Sequence, residues 1–80
     1  YRSAAFYFYL CQRYNLTLRE VDVLKLLERH EGAAAIASIL TISPATAKTH
    51  MRNIYTKLDV HSQNELNQFL DAERSSFRLE

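Results

Sequence analysis

The run from Thr41 to Leu58, T-I-S-P-A-T-A-K-T-H-M-R-N-I-Y-T-K-L, constrains this chain more than any other stretch. Ser43 before Pro44 marks a helix start. A serine hydroxyl accepts from a free N–H of the first turn, and proline at the first helical position gives up no donor the helix needs. From there Ala47, Met51, Ile54 and Leu58 recur at steps of four, three and four, which is one apolar stripe of an amphipathic helix. At about 100° per residue the opposite side holds Ala45, Lys48, Thr49, Arg52 and Thr56, and one flank holds Thr46, His50, Asn53 and Lys57. The outer surface carries three basic residues and no carboxylate, interleaved with hydroxyl and amide side chains, a pattern that suits a helix lying in the DNA major groove. Ordinary solvated faces carry Lys and Arg too, so this helix alone favours DNA only by a small margin.

Eighty residues make one small domain with a core that is thin for its surface. With 48% hydrophobic and 24% charged residues, one Gly and one Pro, the composition is globular rather than disordered, and so few breakers favour helices. The formal net charge of +1 is too small to argue for nucleic acid, but charge is sorted by segment. Ser43 to Leu58 carries Lys48, Arg52 and Lys57 and no acid. Asp59 to Glu80 carries Arg74 and Arg78 against Asp59, Glu65, Asp71, Glu73 and Glu80. A single cysteine, Cys11, cannot form an internal disulfide and points to a reducing, cytoplasmic compartment. A chain that opens on Tyr1, with no signal peptide, is expected to be excised from a longer one.

Residues 1–16 read least clearly. Ala4 to Cys11 is an unbroken apolar and aromatic run, far short of the roughly 20 residues a helix needs to span a bilayer. Phe6, Tyr9 and Leu10 share one helical face, while the alternation of Phe and Tyr has strand character. We take it as a short helix or linker that packs its aromatics on this domain or a neighbour. Thr17-Leu18-Arg19-Glu20 has capping-box spacing, opening a helix whose Val23, Leu24 and Leu27 face inward with Val21 and Leu26 beside them. Gly32 interrupts the pattern. Ala33 to Leu40 then gives a short helix with Ile36, Ala37 and Leu40 inward, and Thr41 and Ile42 lead directly to Ser43, which is helix-turn-helix order. Beyond the Asp59-Val60-His61 turn, Ser62-Gln63-Asn64-Glu65 is a second capping box, opening a last helix striped by Leu66, Phe69 and Leu70. The tail, 75–80, is expected to fray.

The stretch from Leu16 to Leu70 resembles the LuxR-type, or GerE-like, DNA-binding domain that ends many bacterial transcription regulators. The resemblance rests on L-T-L-R-E with V-L-K-L-L, then I-A-S-I-L-T-I-S-P-A-T-A-K-T-H-M-R-N-I-Y-T-K-L-D-V, then S-Q-N-E-L. No single word decides it, but their order and spacing together are specific. It implies an all-α, four-helix domain over 17–74, preceded here by 1–16 as a linker or an extra N-terminal helix, in which Pro44 to Leu58 is the recognition helix and Ala33 to Thr41 the scaffold helix. By the same resemblance Lys48, Thr49 and Arg52, with Ala45, reach base edges. Thr46, His50, Asn53 and Lys57 reach phosphates along one strand. The last helix, with Asn64, Asn67, Gln68 and Asp71 as contact candidates, pairs two copies on adjacent half-sites of a promoter. RNA polymerase is a further candidate partner, and no cofactor, metal or catalytic residue is implied.

Three departures bear on that transfer. Gly32 and three alanines replace a polar, often lysine-containing start to the scaffold helix, which removes an expected backbone anchor. Gln63 stands where an arginine is usual, which takes an ion pair from Glu20 and leaves that carboxylate to its capping role. Ala47 replaces a usual valine and is a smaller knob. The wording N-I-Y-T-K-L-D-V-H-S-Q also resembles output domains whose upstream part is a multi-pass membrane sensor, which would make this the cytoplasmic end of an anchored regulator. Against catalysis, His30, His50 and His61 lack metal-site spacing, Cys11 has no evident base, and no glycine-rich loop could cradle phosphate. The competing reading is a helical protein-interaction module that uses the aromatic segment 1–16 or the last helix.

Overall fold

The computed structural model describes residues 2–79, and the side chains of 4–77. Five helices follow one another: α1 Arg2–Tyr14, α2 Leu18–Glu28, α3 Ala33–Leu40, α4 Pro44–Leu58 and α5 Gln63–Leu79. The architecture is all-α. Each expected start carries its chemistry. Thr17 Oγ1 accepts the Glu20 N–H at 3.1 Å while Glu20 Oε1 accepts the Thr17 N–H at 3.0 Å, so α2 opens with a complete capping box. Ser43 Oγ accepts the Thr46 N–H at 3.0 Å with Pro44 inside the first turn. At α5 the box is only half formed. Ser62 Oγ accepts the Glu65 N–H at 3.1 Å, but Glu65 Oε1 takes the His61 N–H at 2.9 Å instead of the Ser62 N–H.

Helix ends are handled by left-handed residues that are not glycine: Asn15, His30, Thr41 and Asp59 all have φ between 57° and 64°. In the helix-turn-helix, Thr41 at φ 57°, ψ 50° lets the Ile42 N–H reach the Ala37 carbonyl at 2.9 Å, which satisfies carbonyls the helix would otherwise leave free. A β-branched residue is crowded in that conformation. The tight α3–α4 link is therefore bought with local strain.

α4 packs on both α2 and α3. Ala47 and Ile54 are fully buried and Leu58 nearly so, together with Val23, Leu24 and Leu27 of α2, Ile36 and Ala37 of α3, and Leu66 and Leu70 of α5. Each large aliphatic in this group contributes about 1.5–3 kcal/mol by leaving water. The inward stripes of α2, α3, α4 and α5 are those read from the periodicity, except that Leu40, Met51 and Phe69 remain half-buried.

α1 is an integral helix. Phe6 and Leu10, one turn apart, enter the core, so helical period prevails over the Phe/Tyr alternation. Tyr7, Tyr9 and Tyr14 of α1 reach α5, while Phe8 stays exposed. The hydroxyls of Tyr9 and Tyr14 both donate to Glu73 Oε1, at 3.2 and 3.1 Å. Tyr7 donates to Glu28 at 2.9 Å and accepts from Arg74 at 3.2 Å, and Arg74 pairs with Glu28 at 2.7 Å. Phe77 meets the rings of Phe6 and Tyr9 at centroid distances of 5.7 and 5.4 Å, and Phe69 meets Tyr14 edge-on at 5.2 Å. The tail expected to fray, 75–80, falls on this helix except for Glu80, which lies outside the described residues. α5 continues to Leu79 because Phe77 finds an aromatic seat on α1.

Candidate nucleic-acid interface

α4 presents its outward side as the stripe predicts. Ala45, Lys48, Thr49, Arg52 and Thr56 are exposed. Among the described residues neither Lys48 nor Arg52 enters an ion pair, since the pairs formed join other residues. Two cations one turn apart thus point to solvent with their donors free. Thr49 spends its hydroxyl proton on the Ala45 carbonyl at 3.0 Å, which leaves its methyl and oxygen lone pairs outward, groups that can meet a base edge.

The flank divides. Thr46 and Asn53 are exposed. Ser43 Oγ donates to Thr46 Oγ1 at 2.8 Å, so the Thr46 hydroxyl is oriented by the cap and keeps its own proton to donate. His50 and Lys57 are half-buried, turned toward the start of α2. His50 Nδ1 is buried without a hydrogen-bond partner. Lys57 Nζ donates to Glu20 Oε1 at 2.7 Å and to the Asn15 carbonyl at 2.9 Å. Of the four residues expected on phosphate, Lys57 is therefore the one whose charge is already engaged inside the domain.

This also corrects the expected fate of Glu20. Its side chain is only 4% exposed, and it does more than cap. Burial alone would raise its pKa, but the Lys57 ammonium, the Thr17 N–H and the nearby His50 outweigh burial and hold the carboxyl below its usual range. Gln63, standing where an arginine was expected to matter, reaches elsewhere. Its amide donates to the Leu27 carbonyl at 3.0 Å and to Asn67 Oδ1 at 3.1 Å, tying the start of α5 to the end of α2. Lys57 supplies the missing cation from α4. No local pattern marks that substitution, because Glu20 and Lys57 lie 37 positions apart.

On α5, Asn64, Gln68 and Asp71 are exposed and Asn67 is half-buried. These four face away from the Leu66 and Leu70 stripe. At the α3 start, Gly32 is the N-cap and offers no side-chain bond, so the bare scaffold end read from the sequence stands in the structure. Cys11 is half-buried, and burial first, with the Glu20 charge second, pushes its thiol pKa up. That runs against a reactive thiolate. No helix among the described residues is long and apolar enough to cross a membrane.

Known proteins share this arrangement in sequence. The family described as bacterial regulatory proteins, luxR family, matches residues 14–70. The nitrate/nitrite response regulator protein NarP of Escherichia coli (strain K12) is 48% identical over 48 residues, which are 60% of this chain and 22% of that protein. The uncharacterized response regulatory protein YgeK of the same organism is 45% identical over 51 residues, 64% of this chain and 35% of its own length. The uncharacterized transcriptional regulatory protein YhcZ of Bacillus subtilis (strain 168) is 40% identical over 52 residues, 65% of this chain and 24% of its own. The chain thus spans no more than 35% of the length of any of these three. No solved structure matches.

Proposed function

The chain belongs to the luxR family of bacterial regulatory proteins, a helix-turn-helix DNA-binding family, and from that membership we propose that it is the output domain of a transcription regulator that reads double-stranded promoter DNA. α4 lies in the major groove. Lys48 and Arg52 address base edges, assisted by Thr49 and Ala45, while Thr46, His50 and Asn53 face the phosphates of one strand. The observation that carries this reading is the outer side of α4, where two unpaired cations and no carboxylate stand on a helix fixed by its cap and by burial on two neighbours.

Two copies bind adjacent half-sites through the outer face of α5, and RNA polymerase is a downstream partner. The names of the response regulators among the relatives favour a signal-dependent protein of which this is the DNA-binding part. A membrane sensor upstream would place the domain at the cytoplasmic end. Either way the DNA substrate puts it in the cytoplasm. The family is one of regulators and not of enzymes. A protein-docking role has less to work with, since Phe6, Leu10, Leu66 and Leu70 are spent in the core.

The test uses a duplex selected by the chain from a random pool. Lys48→Ala and Arg52→Ala should each cost about 1–3 kcal/mol at the base read and relax preference there. If both variants bound the selected duplex and its single-base changes as the parent does, α4 would not be the reading helix.

A further inference from the structure

We infer that Lys57 serves DNA binding from inside the domain, as one half of a Glu20–Lys57 pair that positions the recognition helix, and not as a phosphate contact. The inference rests on the DNA-binding reading and sharpens it. It begins from the two bonds of the ammonium, 2.7 Å to Glu20 Oε1 and 2.9 Å to the Asn15 carbonyl, which take two of its three protons. Glu20 Oε1 also accepts the Thr17 N–H. One carboxylate oxygen therefore joins the α1–α2 turn, the first turn of α2 and the last turn of α4.

The competition between carboxylate and phosphate is unequal. A lysine that swung out to DNA would gain the release of condensed counterions, but it would strand a carboxylate whose side chain is 4% exposed, and an unpaired buried charge is among the costlier defects in a fold. Gln63 cannot replace the cation, because its amide is held by the Leu27 carbonyl and Asn67. Staying on Glu20 is the lower-energy choice.

The functional consequence follows from helix geometry. Lys57 stands on the flank of α4 that meets α2, while Lys48 and Arg52 stand on the exposed side. Holding Lys57 fixes the rotation of α4 about its own axis and so the direction of both outward cations. Recognition groups need their geometry held within about 10–20° to be productive. The apolar stripe alone, with Ala47 as a small knob and Met51 half-buried, leaves that rotation less tightly set. Glu20 and Lys57 are accordingly positioning residues that touch no base.

The experiment measures binding of this chain to a mixed-sequence duplex and to the selected duplex across a salt series, with thermal melting of each variant without DNA. Lys57→Met should weaken binding and lower the melting midpoint while leaving the slope of log K against log salt at the parent value. The double variant Glu20→Gln with Lys57→Met keeps the Thr17 bond and the stem volume while removing both charges, so it should regain most of the melting midpoint, while the preference for the selected duplex stays reduced because nothing then ties the last turn of α4 to Glu20. That recovery keeps the test open even where Lys57→Met alone folds poorly. A slope reduced by about 0.9 in Lys57→Met and in the double variant alike would make Lys57 a phosphate contact, and parent-level preference in the double variant would show that the pair does not orient α4; either result overturns the inference. Parent protein that showed no salt-dependent binding to either duplex would remove the DNA-binding reading itself, a different result from an altered slope in Lys57→Met.

Discussion

One hydroxyl at Ser43 does two jobs: it accepts the Thr46 N–H at 3.0 Å and donates to Thr46 Oγ1 at 2.8 Å. The first bond starts α4 and the second aims a flank residue. Ser43→Ala should therefore lower stability by about 0.5–2 kcal/mol, read from urea melts; an unchanged midpoint would show that solvent caps α4 equally well. Interactions of this kind are legible in a sequence because both partners fall within one helical turn. Thr17 with Glu20, Ser43 with Thr46, and the Ala47, Ile54 and Leu58 stripe were all readable for that reason. Lys57 was not. Its position on the flank follows from periodicity, but its partner Glu20 lies 37 positions away, so no local pattern announces the ion pair that engages its charge. Thr41 is a second illegible case, since its left-handed backbone has no glycine to announce it.

α1 and the far end of α5 form a structural unit of their own, and both lie mostly outside residues 14–70, the part matched by the family. Tyr7, Tyr9 and Tyr14 reach Glu28 and Glu73, Arg74 sits over the Phe6 ring at 4.7 Å, and Phe77 closes the aromatic group. The sequence showed the aromatics of α1 and left open where they would pack, because their α5 hydrogen-bond partners lie 59 to 67 residues on. Nor does the sequence announce the seat that Phe77 finds on the rings of Phe6 and Tyr9. A pH prediction belongs to this element pair. Burial, then the Glu28 carboxylate, raises the Tyr7 phenol from 10.0 to about 12, with Arg74 opposing. The neutral phenol is the form the fold prefers, so its stabilisation is complete below pH 10.0 and is lost as pH rises through about 12. Tyr7→Phe should cost about 0.5–1.5 kcal/mol at neutral pH for the lost hydrogen bonds and should shrink the alkaline loss of stability between those two values. Parallel urea midpoints for parent and variant across that window would contradict the assignment of that loss to Tyr7.

At the scale of the whole molecule the two outward surfaces differ in kind. α4 shows cations without acids, and α5 shows Asn64, Gln68 and Asp71 with Ala72 and Ser75 beside them, all exposed. The aromatic residues of α5 are already committed to α1, with Phe69 on Tyr14 and Phe77 on Phe6 and Tyr9. A two-fold contact through the rest of α5, as proposed, has to be small and polar, and such contacts are weak between free molecules. DNA changes that balance. Two half-sites one helical turn apart, about 34–36 Å, hold two copies at a high effective concentration, so the contact should show as cooperativity on a paired site and not as a dimer in solution. A two-fold axis places the same patch against itself. Gln68→Glu would then set new carboxylates near each other and near Asp71 on both sides. The expected result is a monomer by sedimentation for parent and variant alike, cooperative filling of the paired site by the parent, and loss of that cooperativity in Gln68→Glu with single half-site affinity retained. Undiminished cooperativity in the variant would move the pairing surface off this face of α5.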